Sequence, residues 1–178
     1  MRSLYSGLLL VLWFSQPLIA QDGSKPPETA MTVERLGQIV LALDADARRA
    51  GPAFELTIDD VPVLIITDER ANRMRAMVPI RLVEDIDPAE WQRLMQANFD
   101  SALDARYAVA QGRLWSVYIH PLSSLEKDQL ISGIGQTVNV AQTYGSLYTG
   151  GAMQFGGGDS APLQRQLIER LLEQGEEI

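Results

Sequence analysis

The 178-residue chain contains no cysteine and only one histidine. The lack of cysteine excludes disulfides, a thiol nucleophile, a cysteine-attached lipid and zinc sites built from cysteine and histidine. The single histidine, His120, precedes Pro121 at the end of a predicted strand, and no positioned partner for a catalytic base is evident beside it. No Gly-x-Ser-x-Gly elbow occurs either, so the sequence predicts no catalytic residue and no cofactor.

Basic residues are also scarce. Lys and Arg number 15 against 23 Asp and Glu, which gives a formal net charge of −8. Nucleic acids and anionic membranes are bound by clustered cations, so this balance argues against both as partners. The acidic residues of predicted turns, such as Asp59-Asp60 and Asp68-Glu69, lack the EF-hand spacing. Such side chains usually accept hydrogen bonds from nearby backbone amides, and no metal site is predicted.

A long apolar run occurs only at the N-terminus. Arg2 is followed by an almost wholly apolar stretch at 4–14, a break at Gln16-Pro17, and Ala20 ahead of polar residues. These are the parts of a secretory signal peptide, so we expect cleavage after Ala20 and a periplasmic protein without membrane contact. The alternative is an uncleaved inner-membrane anchor, although a spanning helix needs about 20 mostly apolar residues.

The remaining chain divides by composition and periodicity. Residues 21–31 are a polar tether, 32–149 form one domain, 150–160 are a Gly-rich linker and 161–178 form an amphipathic helix. Within the domain, helical spacing predicts helices at 32–50, 88–98 and 124–148, and alternation predicts strands at 54–58, 61–67, 73–81, 105–110 and 114–120. The order α-β-β-β-α-β-β-α predicts an α+β fold: a single antiparallel sheet of about five strands with helices on one face, plus the C-terminal helix.

Local residues indicate where the predicted helices begin and end. Thr32 and Asp87 are predicted N-caps, and Ser123 with Glu126 forms a predicted capping box. Gly51-Pro52 is predicted to end the first helix, since glycine suits the position after a helix and proline cannot continue one.

Arginines on the third predicted strand form one candidate binding surface. Arg73, Arg75 and Arg81 are predicted to project from the face away from the core. On an acidic protein, such a row could recognise a carboxylate or an acidic peptide. The alternative is a solvated face whose arginines pair with Asp and Glu of neighbouring strands. Tyr118, on the last predicted strand, is included in the candidate surface.

The C-terminal helix is the second candidate surface. Its apolar stripe contains Leu163, Leu167, Ile168 and Leu171. The stripe either packs on its own domain or docks on a second copy or another partner, as amphipathic helices do. Gly133 and Gly135 weaken the third predicted helix but would permit close approach of another helix.

Three places in the chain carry a resemblance to a known family. They are the Phe54–Ile66 hairpin with its Asp59-Asp60-Val61-Pro62 turn, the passage Leu94-Met95-Gln96-Ala97-Asn98-Phe99, and the strand start Gly112-Arg113-Leu114-Trp115 followed by the Ser123-capped helix. Residues 32–148 thereby resemble the YbjN family and, in fold, the type III secretion chaperones. The signal peptide and the Gly-linked C-terminal helix depart from that family.

The resemblance implies a peptide- or protein-binding module, often dimeric and without enzymatic chemistry. We therefore expect an exported, non-enzymatic, chaperone-like protein that forms a homodimer and holds a protein or peptide client. The first alternative is an accessory subunit of a bacterial envelope complex, anchored through its C-terminal helix. An uncharacterised enzyme is the third interpretation.

Overall fold

The computed structural model describes residues 28–100, 103–144 and 161–176. The helices in these ranges are α1 (Val33–Leu43), α2 (Pro88–Asp100), α3 (Lys127–Gln142) and α4 (Ala161–Gly175). The strands are β1 (Arg48–Ala50), β2 (Ala53–Ile58), β3 (Val61–Asp68), β4 (Arg73–Leu82), β5 (Arg106–Ala110) and β6 (Arg113–Pro121). The predicted signal peptide with its Ala20 cleavage site and the predicted linker 150–160 lie outside the described residues.

The protein has the predicted α+β fold with one antiparallel sheet. The sheet has six strands in the order β1-β2-β3-β4-β6-β5, and each neighbouring pair is antiparallel. Alternate residues of the long strands are buried, and the apolar residues of α1, α3 and α4 join them in one core cluster. The described helices therefore cover one face of the sheet.

The first helix is shorter than predicted. The strand β1, which the sequence did not predict, occupies the C-terminal part expected for that helix. The Asp44 carboxylate accepts hydrogen bonds from the backbone N–H of Asp46 at 2.9 Å and of Thr57 at 2.8 Å. An aspartate that bonds nearby backbone competes with continued helix, so α1 ends at Leu43. Gly51, at φ +61°, then turns β1 back onto β2 rather than ending a helix.

The hairpin between β2 and β3 turns where it was predicted to turn. Asp59 and Asp60 have φ values of 49° and 62°, the left-handed conformation that two-residue hairpin turns require. The Asp59 carboxylate also accepts a hydrogen bond from Arg170 of α4 at 2.5 Å. The turn therefore joins the sheet to the C-terminal helix.

Two N-caps are confirmed and one is displaced. Thr32 accepts from the N–H of Arg35 at 3.1 Å, and Asp87 accepts from that of Glu90 at 2.8 Å. The cap of α3 is Glu126 rather than Ser123, and Gln129 returns a bond to its N–H at 3.0 Å. Ser123 cannot act as the cap because it exchanges hydrogen bonds with the side chain of Asn72.

The edge strand β5 is partly closed by α2. The side-chain amide of Asn98 accepts from the N–H of Tyr107 at 2.7 Å and donates to its carbonyl at 3.2 Å. This pair of bonds occupies backbone groups that an added strand would need. A second, smaller cluster that includes Leu94, Tyr107 and Leu114 packs α2 against the same side of the sheet as the main core.

Candidate binding surfaces

The sheet face opposite the helices is apolar along its three central strands. Alternation places on it Pro62, Leu64, Ile66, Met77, Pro79, Trp115, Val117 and Ile119, which we call the open face. None of the helices that the structure describes buries its apolar residues against this face. Most of the open face is half-buried, whereas Ile119 is 56% exposed.

Strand register makes the open face continuous. Leu64 lies opposite Met77, and Met77 lies opposite Val117, so three apolar side chains follow one another across β3, β4 and β6. Pro79 lies opposite Trp115 in the adjacent row, and the Trp115 indole donates to the carbonyl of Ala110 at 3.1 Å. Opposed side chains in a sheet touch, so these rows form one apolar strip.

Arginines border the apolar strip. Arg73 and Arg75 are exposed at one end of β4, where Arg75 lies opposite Ile66 on one side and Ile119 on the other. Arg113 belongs to the same face, and among the residues described neither Arg75 nor Arg113 forms an ion pair. The alternative of arginines paired with neighbouring acids is therefore not observed for these two. The border is locally basic on a chain of net charge −8.

A depression lies at the β2–β3 end of the open face. Its volume is about 510 Å³, and Thr57, Pro62, Leu64, Pro79 and Trp115 form part of its wall. Arg48 and Glu55 form an ion pair of 2.8 Å at the rim. The open face is consequently concave at one end, where it can surround an inserted side chain.

The prediction for Arg81 is wrong because β4 contains a bulge. Pro79 lies opposite Trp115, but Arg81 already lies opposite Leu114, so the register shifts between them. One extra residue moves the following side chain to the other face. Arg81 therefore lies on the helix side, away from Arg73 and Arg75.

On that side, Arg81 links β4 to α2 and the end of α3. It donates to the Tyr144 hydroxyl at 3.2 Å and lies 3.7 Å from the Glu90 carboxylate. Tyr144 also hydrogen-bonds Glu90, and burial followed by that bond raises the pKa of Tyr144. Glu90 therefore contacts this cluster rather than the start of its own helix, and the cluster has a structural role.

The other predicted contact residues are mostly internal. Tyr118 is 5% exposed and packs its ring against Gly133, so its assignment to an exposed surface is wrong. Leu167 and Leu171 are 6% and 2% exposed within the main core, and Ile168 is half-buried against Gly135. Of Leu163, the structure gives only its position on α4. Of the predicted contact residues whose side chains the structure describes, Arg73 and Arg75 lie on the open face.

The C-terminal helix packs on its own domain. A Cβ on Gly135 would lie 2.9 Å from Cγ1 of Ile168 and 3.3 Å from Cδ1 of Leu171, so the missing side chain lets α4 approach α3 closely. The prediction that a glycine here permits close approach of another helix is confirmed for Gly135, whereas Gly133 faces the ring of Tyr118 on β6. The buried stripe of α4 is not available to a partner in this arrangement.

The sequence indicates the arginines of the open face as a binding surface but the prediction omits its apolar strip, although a signal for that strip is present. Trp115, Val117 and Ile119 alternate with buried residues in β6, so this strand is apolar on both faces. Such strands are usually covered on both sides. A second apolar face that no described helix covers is a feature typical of interaction surfaces.

Comparison with known proteins gives no relative from which a function could be transferred. No protein-family model matches the sequence, and no curated protein matches it either. In the ranges that the structure describes, no helix is long and apolar enough to cross a membrane, and no cluster of three or more His, Cys, Asp or Glu side chains could hold a metal. The YbjN resemblance stays a prediction.

Proposed function

We propose that this protein is a non-enzymatic binding module that holds a polypeptide segment on the open face of its sheet. The observation that carries the proposal is the apolar strip through Leu64, Met77 and Val117, bordered by unpaired arginines on an acidic chain. A client of matching chemistry has an apolar stretch flanked by Asp or Glu. In line with the N-terminal pattern, we propose that it acts after export to the periplasm.

The apolar strip supplies the attraction. Burying a large apolar side chain completely stabilises a complex by about 1.5–3 kcal/mol, and half-buried residues contribute part of that. Trp115 is anchored by its hydrogen bond to Ala110, so little side-chain freedom is lost when a client covers it. Aromatic residues of this kind, together with arginine, are enriched among the residues that dominate binding energy.

The bordering arginines supply selectivity. Arg75 lies beside Ile66 and Ile119, so a carboxylate next to a client's apolar group can reach it. Charge pairs at the rim of an interface mainly speed association and select the partner. The overall negative charge of the chain repels acidic segments elsewhere, and the depression at the far end of the open face is lined by Asp44, Asp46 and Glu55 beside Arg48, so acidic segments are directed to the Arg75 end.

Two other modes of binding have less support. Addition of a client strand to β5 is obstructed by Asn98, which already bonds the backbone of Tyr107. Anchoring through α4, as an accessory subunit would require, needs Leu167 and Leu171 to leave the core. The open face requires no rearrangement of the described elements.

A selection experiment tests the proposal. A displayed library of short random peptides is selected on the purified protein, and enriched peptides are titrated against the Trp13→Phe/Trp91→Phe variant, in which Trp115 is the one remaining tryptophan and its fluorescence reports on the open face. We expect apolar peptides with flanking Asp or Glu. Their affinity should fall at least tenfold in Ile119→Asp and in Arg75→Glu, and stay unchanged in Arg165→Glu, a charge reversal on the exposed side of α4.

Two results would overturn the proposal. In the first, the enriched peptides bind Ile119→Asp and Arg75→Glu as well as they bind the original protein. In the second, light scattering finds a dimer that Ile119→Asp dissociates, and no peptide binds, which would assign the open face to a second copy of the chain. A dimer that Ile119→Asp leaves intact is compatible with peptide binding and agrees with the predicted homodimer.

A further inference from the structure

Two arginines mark the two ends of the apolar strip. Arg75 lies on β4 opposite Ile119, and Arg113 lies on the same face at the start of β6. Arg75 is exposed and Arg113 is half-buried, and among the described residues neither guanidinium has a carboxylate within ion-pair distance. Both guanidiniums are therefore available to the carboxylates of a client.

The strand β6 sets the distance between these two charges. Ile119, which lies opposite Arg75, and Arg113 are six residues apart on this strand. A strand rises about 3.4 Å per residue, so the two positions are about 20 Å apart along it. A client segment in extended conformation rises by the same amount and spans the distance in six residues, whereas a helix would need about 13.

The residues between the two arginines are apolar in opposed pairs. Met77 lies opposite Val117, and Pro79 lies opposite Trp115. Alternate side chains of an extended segment point to one side at intervals of about 6.8 Å, which is also the spacing of these pairs. A client residue two positions after the acid at Arg75 therefore covers the first pair, and the residue four positions after it covers the second.

The pair formed by Pro79 and Trp115 belongs to the wall of the depression, whose volume is about 510 Å³. Two of the three carboxylates in that wall are already bonded, because Asp44 accepts from two backbone N–H groups and Glu55 pairs with Arg48. What the wall offers a client is chiefly its apolar side. A large apolar side chain is therefore favoured at this position of the client.

The acid that meets Arg113 is remote from the carboxylates of the depression. Arg113 lies on β6, three strands from Glu55 on β2, which is about 14 Å at about 4.8 Å per strand. This separation exceeds the Debye length of about 8 Å at physiological ionic strength, so repulsion from that side is largely screened. Both ends of the strip consequently accept a carboxylate.

We propose that the client segment is extended and has the order acid–x–apolar–x–large apolar–x–acid, so that its two carboxylates bind Arg75 and Arg113 together. A segment that runs in the opposite direction has the reverse order. This inference rests on the proposed function and adds to it the conformation of the client and the spacing of its charges.

Fluorescence titration of two synthetic peptides with the full-chain Trp13→Phe/Trp91→Phe variant tests the inference. The first peptide, Glu-Thr-Phe-Thr-Phe-Thr-Glu, has its acids six positions apart and reads alike in both directions. The control, Glu-Thr-Phe-Thr-Phe-Glu-Thr, has the same composition but one acid on the side away from the sheet. We expect the first to bind about two- to fivefold more tightly, the contribution of one exposed ion pair. This advantage should disappear in Arg113→Glu and remain in Arg165→Glu.

The outcomes separate this inference from the proposed function. Equal affinity of the two peptides, or an advantage that Arg113→Glu leaves intact, would overturn the spacing, whereas the open face keeps its support if Ile119→Asp weakens binding. Failure of both peptides, when peptides selected from the library do bind the open face, would also reject the extended motif. If no peptide of any kind binds, the proposed function fails and this inference fails with it.

Discussion

Both faces of the sheet carry apolar side chains on the central strands, but the surroundings of the two faces differ greatly. Along β3, Ile65 is fully buried beneath the helices, whereas its neighbour Ile66 is half-buried on the open face. Along β6, Tyr118 lies in the core and Ile119 is largely exposed. Apolar side chains alone therefore do not make a core; the helices that cover one face do. The uncovered face keeps its apolar residues, which is why we propose it as the binding surface.

The variants Ile65→Ala and Ile66→Ala test most directly whether the two faces of the sheet differ in burial. Removing a fully buried isoleucine leaves a cavity and is expected to lower the free energy of unfolding by about 2–5 kcal/mol. Ile66→Ala removes a side chain with water on one side, so we expect a loss of less than about 1 kcal/mol. Urea denaturation of both variants measures the difference. Equal losses would mean that the open face is covered in solution.

Gly133→Ala tests how tightly the helical layer fits the covered face. A Cβ at this position would overlap the ring of Tyr118 on the sheet. We expect a destabilisation of about 1–3 kcal/mol, typical of overpacking in a close-packed core. The additional variant Gly133→Ala/Tyr118→Ala removes the overlapping ring, and thermal denaturation should find no further penalty from the alanine at 133. A persistent penalty would contradict the overlap.

Asp44→Ala tests the junction between helix and sheet. The Asp44 carboxylate bonds the N–H groups of Asp46 and Thr57, so its loss removes both contacts where α1 meets β2. We expect a loss of about 0.5–2 kcal/mol, as for other side chains that cap backbone donors. Asp46→Ala is the matched control, because Asp46 is exposed and is expected to be near neutral. Chemical denaturation distinguishes the two variants.

The smallest expected effect is the pH dependence of stability that Tyr118 causes, which is confined to alkaline solution. Folding raises its pKa from 10.0 to about 12, mainly by burial and secondarily through Asp104. Between these values the folded protein keeps a proton that the unfolded chain releases, so this contribution to stability is complete below pH 10 and is lost as the pH rises to 12. Tyr118→Phe should therefore depend less on pH than the original protein across that window. Parallel pH profiles in urea measure this difference, and the two profiles would have the same pH dependence if the hydroxyl were exposed.

Local signals were sufficient for much of the fold. Thr32 and Asp87 cap helices because a side-chain oxygen three residues before a backbone N–H is already in reach. Asp59-Asp60 turns a hairpin because these residues tolerate positive φ. Each of these features depends on residues within a few positions of one another, and each was predicted.

Errors arose where a distant residue intervened. Thr57 holds the carboxylate that stops α1, Asn72 occupies the predicted cap Ser123, and the register with β6 sets the bulge that turns Arg81 away. Thr57 lies 13 positions from Asp44, and Asn72 lies 51 positions from Ser123. No local pattern contains such contacts. The prediction therefore placed Arg73 and Arg75 on the correct face of the sheet and Arg81 on the wrong one.

By itself, the sequence determined the α+β class, the antiparallel hairpins and the apolar stripe of α4, because periodicity and turn chemistry are short-range properties. Tertiary structure alone decided that the second apolar face stays without a cover of described helices, where α4 docked and which polar groups met around Tyr144. Gly135 illustrates the reason: as a residue it only weakens a helix, and its value as a place for Ile168 exists only once two helices cross. The helices cover one of two faces that both carry apolar residues on the central strands, and the face that the described helices leave uncovered is the one we propose for binding.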